Sequence, residues 1–208
     1  VKLLDSLLGR SKPVPAKLDA LFALPGAAVT LETEVGLAPT GRAAVCFKPI
    51  TGQSFRAVKD ELDQLLRLDA GDPGAGVQAH QGETTGSSGT TAPVLHEQAD
   101  EYGYHWVVLQ DTDPSNLVTR VHLVNSTLDE HGFGPELLCS VFGFAGSSSS
   151  EKLYLVYLFK RGTFYPFAPA AGEQRDNPLE LRIRGMLADD LTVESDLARW
   201  FPLWGLPI

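Results

Sequence analysis

The alternation of apolar and polar residues in "AAVTLETEV", 27–35, sets Val29, Leu31, Thr33 and Val35 against Thr30, Glu32 and Glu34. A period of two predicts a half-buried strand there. "GLAPTG" then turns the chain, and "RAAVCFKPI" reads as an antiparallel neighbour. Upstream, Leu18, Leu21 and Phe22 predict a helix over 16–24 that Pro25-Gly26 ends. Helical spacing returns after Ser54, a candidate cap, with Val58, Leu62, Leu65 and Leu66 on one stripe. A third helix follows "DTDPSN", carrying Leu117, Val121, Val124 and Leu128 and stopped by Gly132. A fourth starts at Asp176 or Asn177 with Pro178, and turns Leu179, Ile183, Met186 and Leu187 inward.

Strands are expected at "EYGYHWVVLQD", Glu136–Phe144 and Lys152–Phe159. The last is apolar on both faces, with Leu153, Leu155, Tyr157 and Phe159 opposite Tyr154, Val156 and Leu158. Such a strand belongs in the middle of a sheet that is covered on both sides. The expected order is α-β-β-α-β-α-β-β-α. This is an α+β fold with a mainly antiparallel sheet and helices packed on one face. The Gly/Ser/Thr-rich stretch at about 70–93 has almost nothing to bury, and reads as a flexible low-complexity insertion in a single domain spanning 1–208.

Charge and motifs narrow the chemistry. A formal net charge of −9 and the lack of any basic run argue against nucleic acid, which needs concentrated Lys and Arg. Cys46 and Cys139 sit in apolar strand-like segments and read as buried thiols, in keeping with a reducing cytoplasm. The five histidines show no HxxxH or HExxH spacing, so neither metal nor cofactor is expected. There is no GxSxG elbow or phosphate-binding glycine loop either. Glu97, Asp100 and Glu101 cluster before an aromatic strand; they would supply the acids if the chain were a hydrolase, and otherwise are a solvated surface.

What stands out is aromatic. In "YLFKRGTFYPFAP", Lys160 and Arg161 precede Phe164, Tyr165, Pro166 and Phe167, a combination unlike an ordinary strand. Arg161 could form a cation–π contact with its neighbours. The alternatives are a partner surface or a turn packed on the core. Trp200 and Trp204 near the C-terminus, and the leucine stripe of Leu4, Leu7 and Leu8 near the N-terminus, complete the candidate partner-binding residues. The N-terminal stripe is also the one place for a peripheral membrane-surface sensor, although it is short and lacks a basic face.

Several stretches together carry a family resemblance: "LLDSLLGRSKPVPAKLDALFALPGAAVTLE", "DEYGYHWVV", "EHGFGPELLCSVFGF", "LYLVYLFKRGTFYPFAP", "RDNPLELRIRGMLADDL" and "DLARWFPLWG". The chain resembles the actinobacterial PspA-associated PspAB family over nearly its whole length. The resemblance implies association with a PspA-like coiled coil of the envelope-stress response, on the cytoplasmic side and peripheral to the inner face of the membrane. It implies no reaction, and points to a non-enzymatic adaptor working through protein contacts. The element order is also similar to the YbjN and type III secretion chaperone-like fold, whose members often pair, so a homodimer is a further expectation.

Overall fold

The computed structural model describes residues 17–69, 96–147 and 151–208. Leu4, Leu7 and Leu8, and the 70–93 insertion, lie outside the described residues.

A 3-10 turn at Leu18–Ala23 leads directly into helix α1, Leu24–Val35. Here the expected strand is corrected. The buried residues are Leu24, Ala27, Ala28 and Leu31, a spacing of three and four that makes a helical face. Val29, which the alternation turned inward, is 62% exposed. Pro25 does not end a helix; it lies in the first turn of one, where the missing N–H costs nothing. The helix closes at Gly36, whose φ of 71° is left-handed, with Leu37 N–H donating to the Leu31 carbonyl at 3.2 Å.

Strand β1 follows at Ala38–Phe47. Helix α2, Gln53–Asp69, buries Val58, Leu62 and Leu66, and starts one residue before Ser54. Next come β2 at His96–Ala99, which the pattern did not suggest, and β3 at His105–Gln110. Helix α3, Pro114–Leu128, is capped by the Asp113 carboxylate, which accepts from Ser115 N–H at 2.7 Å. It ends in a wide turn in which Gly132 has a φ of 86°.

Strands β4 (Leu137–Ala145), β5 (Lys152–Leu158) and β6 (Thr163–Phe167) complete a six-stranded antiparallel sheet in the order β2-β3-β1-β4-β5-β6. A small hairpin, β7 (Pro169–Ala170) with β8 (Gln174–Arg175), leads into helix α4, Asn177–Met186. Asp176 caps α4 as the sequence suggests, accepting from Leu179 N–H at 3.0 Å.

Pro166 sits in β6 because β6 is an edge. Phe164 turns its N–H and C=O outward, to Thr192 at 2.9 Å and Glu194 at 2.7 Å. Two residues on, Pro166 faces the same way, where no ladder N–H is needed.

Helices α1, α2, α3 and α4 pack on one face of the sheet, against residues such as Val45, Phe142, Leu155 and Phe164. A separate cluster on the opposite face contains Cys46, Trp106, Cys139, Tyr154, Val156, Tyr165, Phe167 and Trp200. The sheet is therefore apolar on both sides, as the composition of β5 requires.

The helical reading of 24–35 has a direct test. Val29→Ala replaces an exposed β-branched residue with a better helix former, so urea unfolding should show stability within about 0.5 kcal/mol of the parent or above it. Leu31→Ala opens a cavity against α3 and the sheet, and should cost about 2–5 kcal/mol. The opposite ranking would restore the strand.

Candidate functional site

Among the described residues, no α-helix lies over the second face of the sheet. Its cover is the irregular segment that follows α4. Residues 192–194 run along β6 through the Phe164 bonds, and the chain then turns at Leu197–Arg199, where the Asp196 carboxylate accepts from Ala198 N–H at 3.0 Å. Trp200 stacks on Tyr165 with ring centroids 6.0 Å apart, and its indole N–H donates to the Glu194 carbonyl at 3.1 Å. The Tyr165 hydroxyl donates to the Phe201 carbonyl at 2.9 Å. Trp204 meets Phe167 edge-on at 5.1 Å. Farther along, the Tyr154 hydroxyl reaches the Ile208 carbonyl at 3.2 Å, and Arg42 reaches that of Pro207 at 2.9 Å.

Two carboxylates lock this cover down. Glu194 is buried and accepts from Arg161, from the Thr163 hydroxyl at 3.0 Å and from Asp196 N–H at 3.0 Å. Burial would raise its carboxyl, but these bonds prevail and hold it below its ordinary value. Glu180, also buried, accepts from Ala168 N–H at 2.9 Å and Arg175 Nε at 3.0 Å. Arg175 also donates to the Trp200 carbonyl, and its guanidinium lies 5.5 Å from the centre of the Phe167 ring.

These contacts decide where the candidate partner-binding residues stand. Phe164, Tyr165, Phe167 and Trp200 are buried within the chain, so they form no exposed aromatic patch. Trp204 is half-buried. Arg161 pairs with Glu194, and it is Arg175 that lies over an aromatic ring. Lys160 is exposed and donates to the Pro135 carbonyl at 2.6 Å. The two aromatic segments singled out in the sequence cover each other.

The cover leaves a gap. Between Phe201–Trp204 and the tip of the β2–β3 hairpin lies an apolar pocket of about 460 Å³. Its floor is one row across the sheet: Trp106 on β3 pairs with Cys46 on β1, Cys46 with Cys139 on β4, and Cys139 with Leu158 on β5. A bulge between Cys46 and Phe47 brings Leu138 into the lining. At the rim stand Tyr102, Tyr104 and Phe201, which are 62%, 39% and 59% exposed.

Asp100 shapes the hairpin tip. Its carboxylate accepts from the Trp106 indole N–H at 2.8 Å and from the N–H groups of Tyr102 and Tyr104 at 2.9 and 2.8 Å. Gly103, with a φ of 81°, supplies the left-handed residue of the turn. The negative charge of Glu101 pushes the Tyr102 phenol up. Glu97 lies outside the pocket lining, accepting from Lys59 and pairing with His105 Nδ1 at 2.6 Å. Burial acts to raise the Glu97 carboxyl, yet the bonds from Lys59 and His105 leave it lowered. Among the described residues, no three His, Cys, Asp or Glu side chains are placed to hold a metal ion. The rim residues escaped the sequence reading because Tyr104 was counted as part of a strand face. The signal available was "DEYGY", two acids followed by two tyrosines on either side of a glycine.

Fold and site define an α+β protein with one face of its sheet under helices and the other under an irregular tail that frames an apolar pocket. The family model for PspA associated protein B matches residues 1–208, the whole chain, and the chain belongs to the PspAB family, named for association with PspA. Searches of curated proteins and of solved structures each gave no match. The expected likeness to the YbjN and type III secretion chaperone-like fold is not confirmed. No helix among the described residues is long and apolar enough to cross a membrane.

The lowered carboxyls of Glu194 and Glu97 fix a pH dependence. The folded chain binds these protons less readily than the unfolded chain. Their stabilisation is therefore full above the unfolded value near 4.5 and is lost as pH falls through the lower folded values. Urea midpoints of the parent should drop on going from neutral pH to about pH 4, and further below that. Glu194→Gln should be less stable than the parent at neutral pH and lose less on acidification. An equal acid loss in both proteins would remove Glu194 from the explanation.

Proposed function

We propose that this chain is a non-catalytic adaptor of the PspA-associated type, and that it holds its protein partner by an apolar anchor in the pocket between the tail and the β2–β3 hairpin. One observation carries the reading: Tyr102, Tyr104 and Phe201 converge, largely exposed, around a floor of apolar side chains. Exposed aromatics grouped at a concavity mark interaction surfaces more often than scattered ones do. The volume suits one or two large side chains. Glu101 beside the rim and the net charge of −9 favour a partner segment that is basic next to its apolar anchor.

Two of the three acids that a hydrolase would need are already engaged. Asp100 is occupied by three N–H donors and Glu97 by Lys59 and His105, which supports binding over catalysis. The membrane-surface reading rests on residues 1–10, outside the described residues.

PspA, named by the family, is the first partner to test. Titration calorimetry of the purified chain against purified PspA should show binding. Phe201→Asp and Tyr102→Asp should each weaken it at least about tenfold, or ~1.4 kcal/mol. Both positions are exposed, so thermal midpoints should hold. Val29→Asp, on the helix side, should leave affinity unchanged. Full affinity in the folded rim variants would sink the proposal, while light scattering on the chain alone would reveal a second copy as the occupant instead.

A further inference from the structure

The floor of the pocket holds chemistry that partner binding does not use. The chain has two cysteines, and they are direct cross-strand partners, Cys46 on β1 and Cys139 on β4. Neither is in a disulfide, and both line the pocket. Residues opposite one another in antiparallel strands have Cα atoms about 4.5–5.5 Å apart. A disulfide accepts about 4.4–6.8 Å, so the paired cysteines stand within bonding reach of each other.

We propose that Cys46 and Cys139 form a dithiol oxidation site, which hydrogen peroxide entering through the apolar pocket converts to a cross-strand disulfide. The site belongs to the floor of the pocket and is open to peroxide in the chain without its partner. Cys139 is the more accessible of the two, 7% exposed against 3% for Cys46. Its sulfur, giving up the thiol proton, attacks one peroxide oxygen; the O–O bond breaks, and the departing hydroxide takes that proton to leave as water. The Cys139 sulfenic acid that results is attacked by the Cys46 sulfur. The S–O bond breaks, the S–S bond forms, and the departing hydroxide takes the Cys46 proton as a second water. Two thiols are oxidised and one peroxide is reduced, with two waters released. Contact with Cys139 and burial push the Cys46 thiol up, which makes Cys46 the poorer first nucleophile of the pair.

The neighbourhood supplies a readout. Trp106 is the next residue in the same row, beside Cys46. A disulfide formed there lies against the indole and lowers its emission.

The experiment treats the reduced, folded full-length chain with hydrogen peroxide. Remaining thiols are then blocked with iodoacetamide under denaturing conditions, and the intact mass is read without reductant. The expected product is a monomer lighter by two hydrogens, with neither cysteine alkylated, a fragment linking 46 to 139, and reduced tryptophan emission. Dithiothreitol should reverse all four. Cys139→Ala and Cys46→Ala should each abolish the linked monomer. Two thiols that stay fully alkylatable, disulfides that only join separate chains, or sulfinic acids without linkage would each overturn the proposal. Because none of these readouts uses PspA, failure here leaves the partner reading standing, and failure of partner binding leaves this one.

Discussion

A sheet that is apolar on both faces has to be covered twice, and the rest of this structure follows from that demand. β4 and β5 present large side chains to each side: Phe142, Leu155 and Tyr157 to the helices, Val141, Tyr154 and Val156 to the other layer. Four amphipathic helices satisfy the first side by ordinary ridge packing. The second side is satisfied without regular structure. Aromatic rings laid flat or edge-on bury much area per residue, and their polar tips bond the backbone that carries them. Trp200 to Glu194 and Tyr165 to Phe201 are examples. The charged pairs at Glu194 and Glu180 then fix where the tail crosses the edge of the sheet.

Such a cover is less complete than a helix would be. The helix side closes into a continuous core, whereas the tail side leaves the space above the row of Trp106, Cys46, Cys139 and Leu158. A regular element fills a groove along its length; an irregular segment touches where its side chains happen to point. The pocket lies at the limit of what the tail can reach, where the hairpin tip held by Asp100 forms the opposite wall.

Much of the frame was readable in the sequence, because capping and periodicity are local. Asp113-Pro114 and Asp176 to Pro178 mark two helix starts where the structure has them, and the two apolar faces of β5 announce a covered central strand. The failure at 27–35 is equally local. Val29, Leu31, Thr33 and Val35 alternate, but the helix is decided by Ala27 and Ala28, small residues that carry little weight in a hydrophobic pattern and much in close packing against α3. Pro166 looked foreign to a strand because edge position cannot be known before the sheet is assembled. The aromatic surplus at 164–167 and 200–204 was visible, but its meaning was not: each segment read alone resembles a surface, and only the fold brings Tyr165 to Trp200 and Phe167 to Trp204.

The position of the tail in chain order bears on how the molecule is made. All six strands of the sheet have been synthesised once Phe167 is in place, and α4 follows soon after. Tyr154, Val156, Tyr165 and Phe167 nevertheless stay open to water until residues 192–208 leave the ribosome, since their cover comes from nowhere else among the described residues. Over that interval the nascent chain carries a finished helix side and a bare aromatic one, the kind of surface that general chaperones hold. Premature termination after α4 would leave that state permanent, so residues 192–208 separate a covered aromatic face from a bare one.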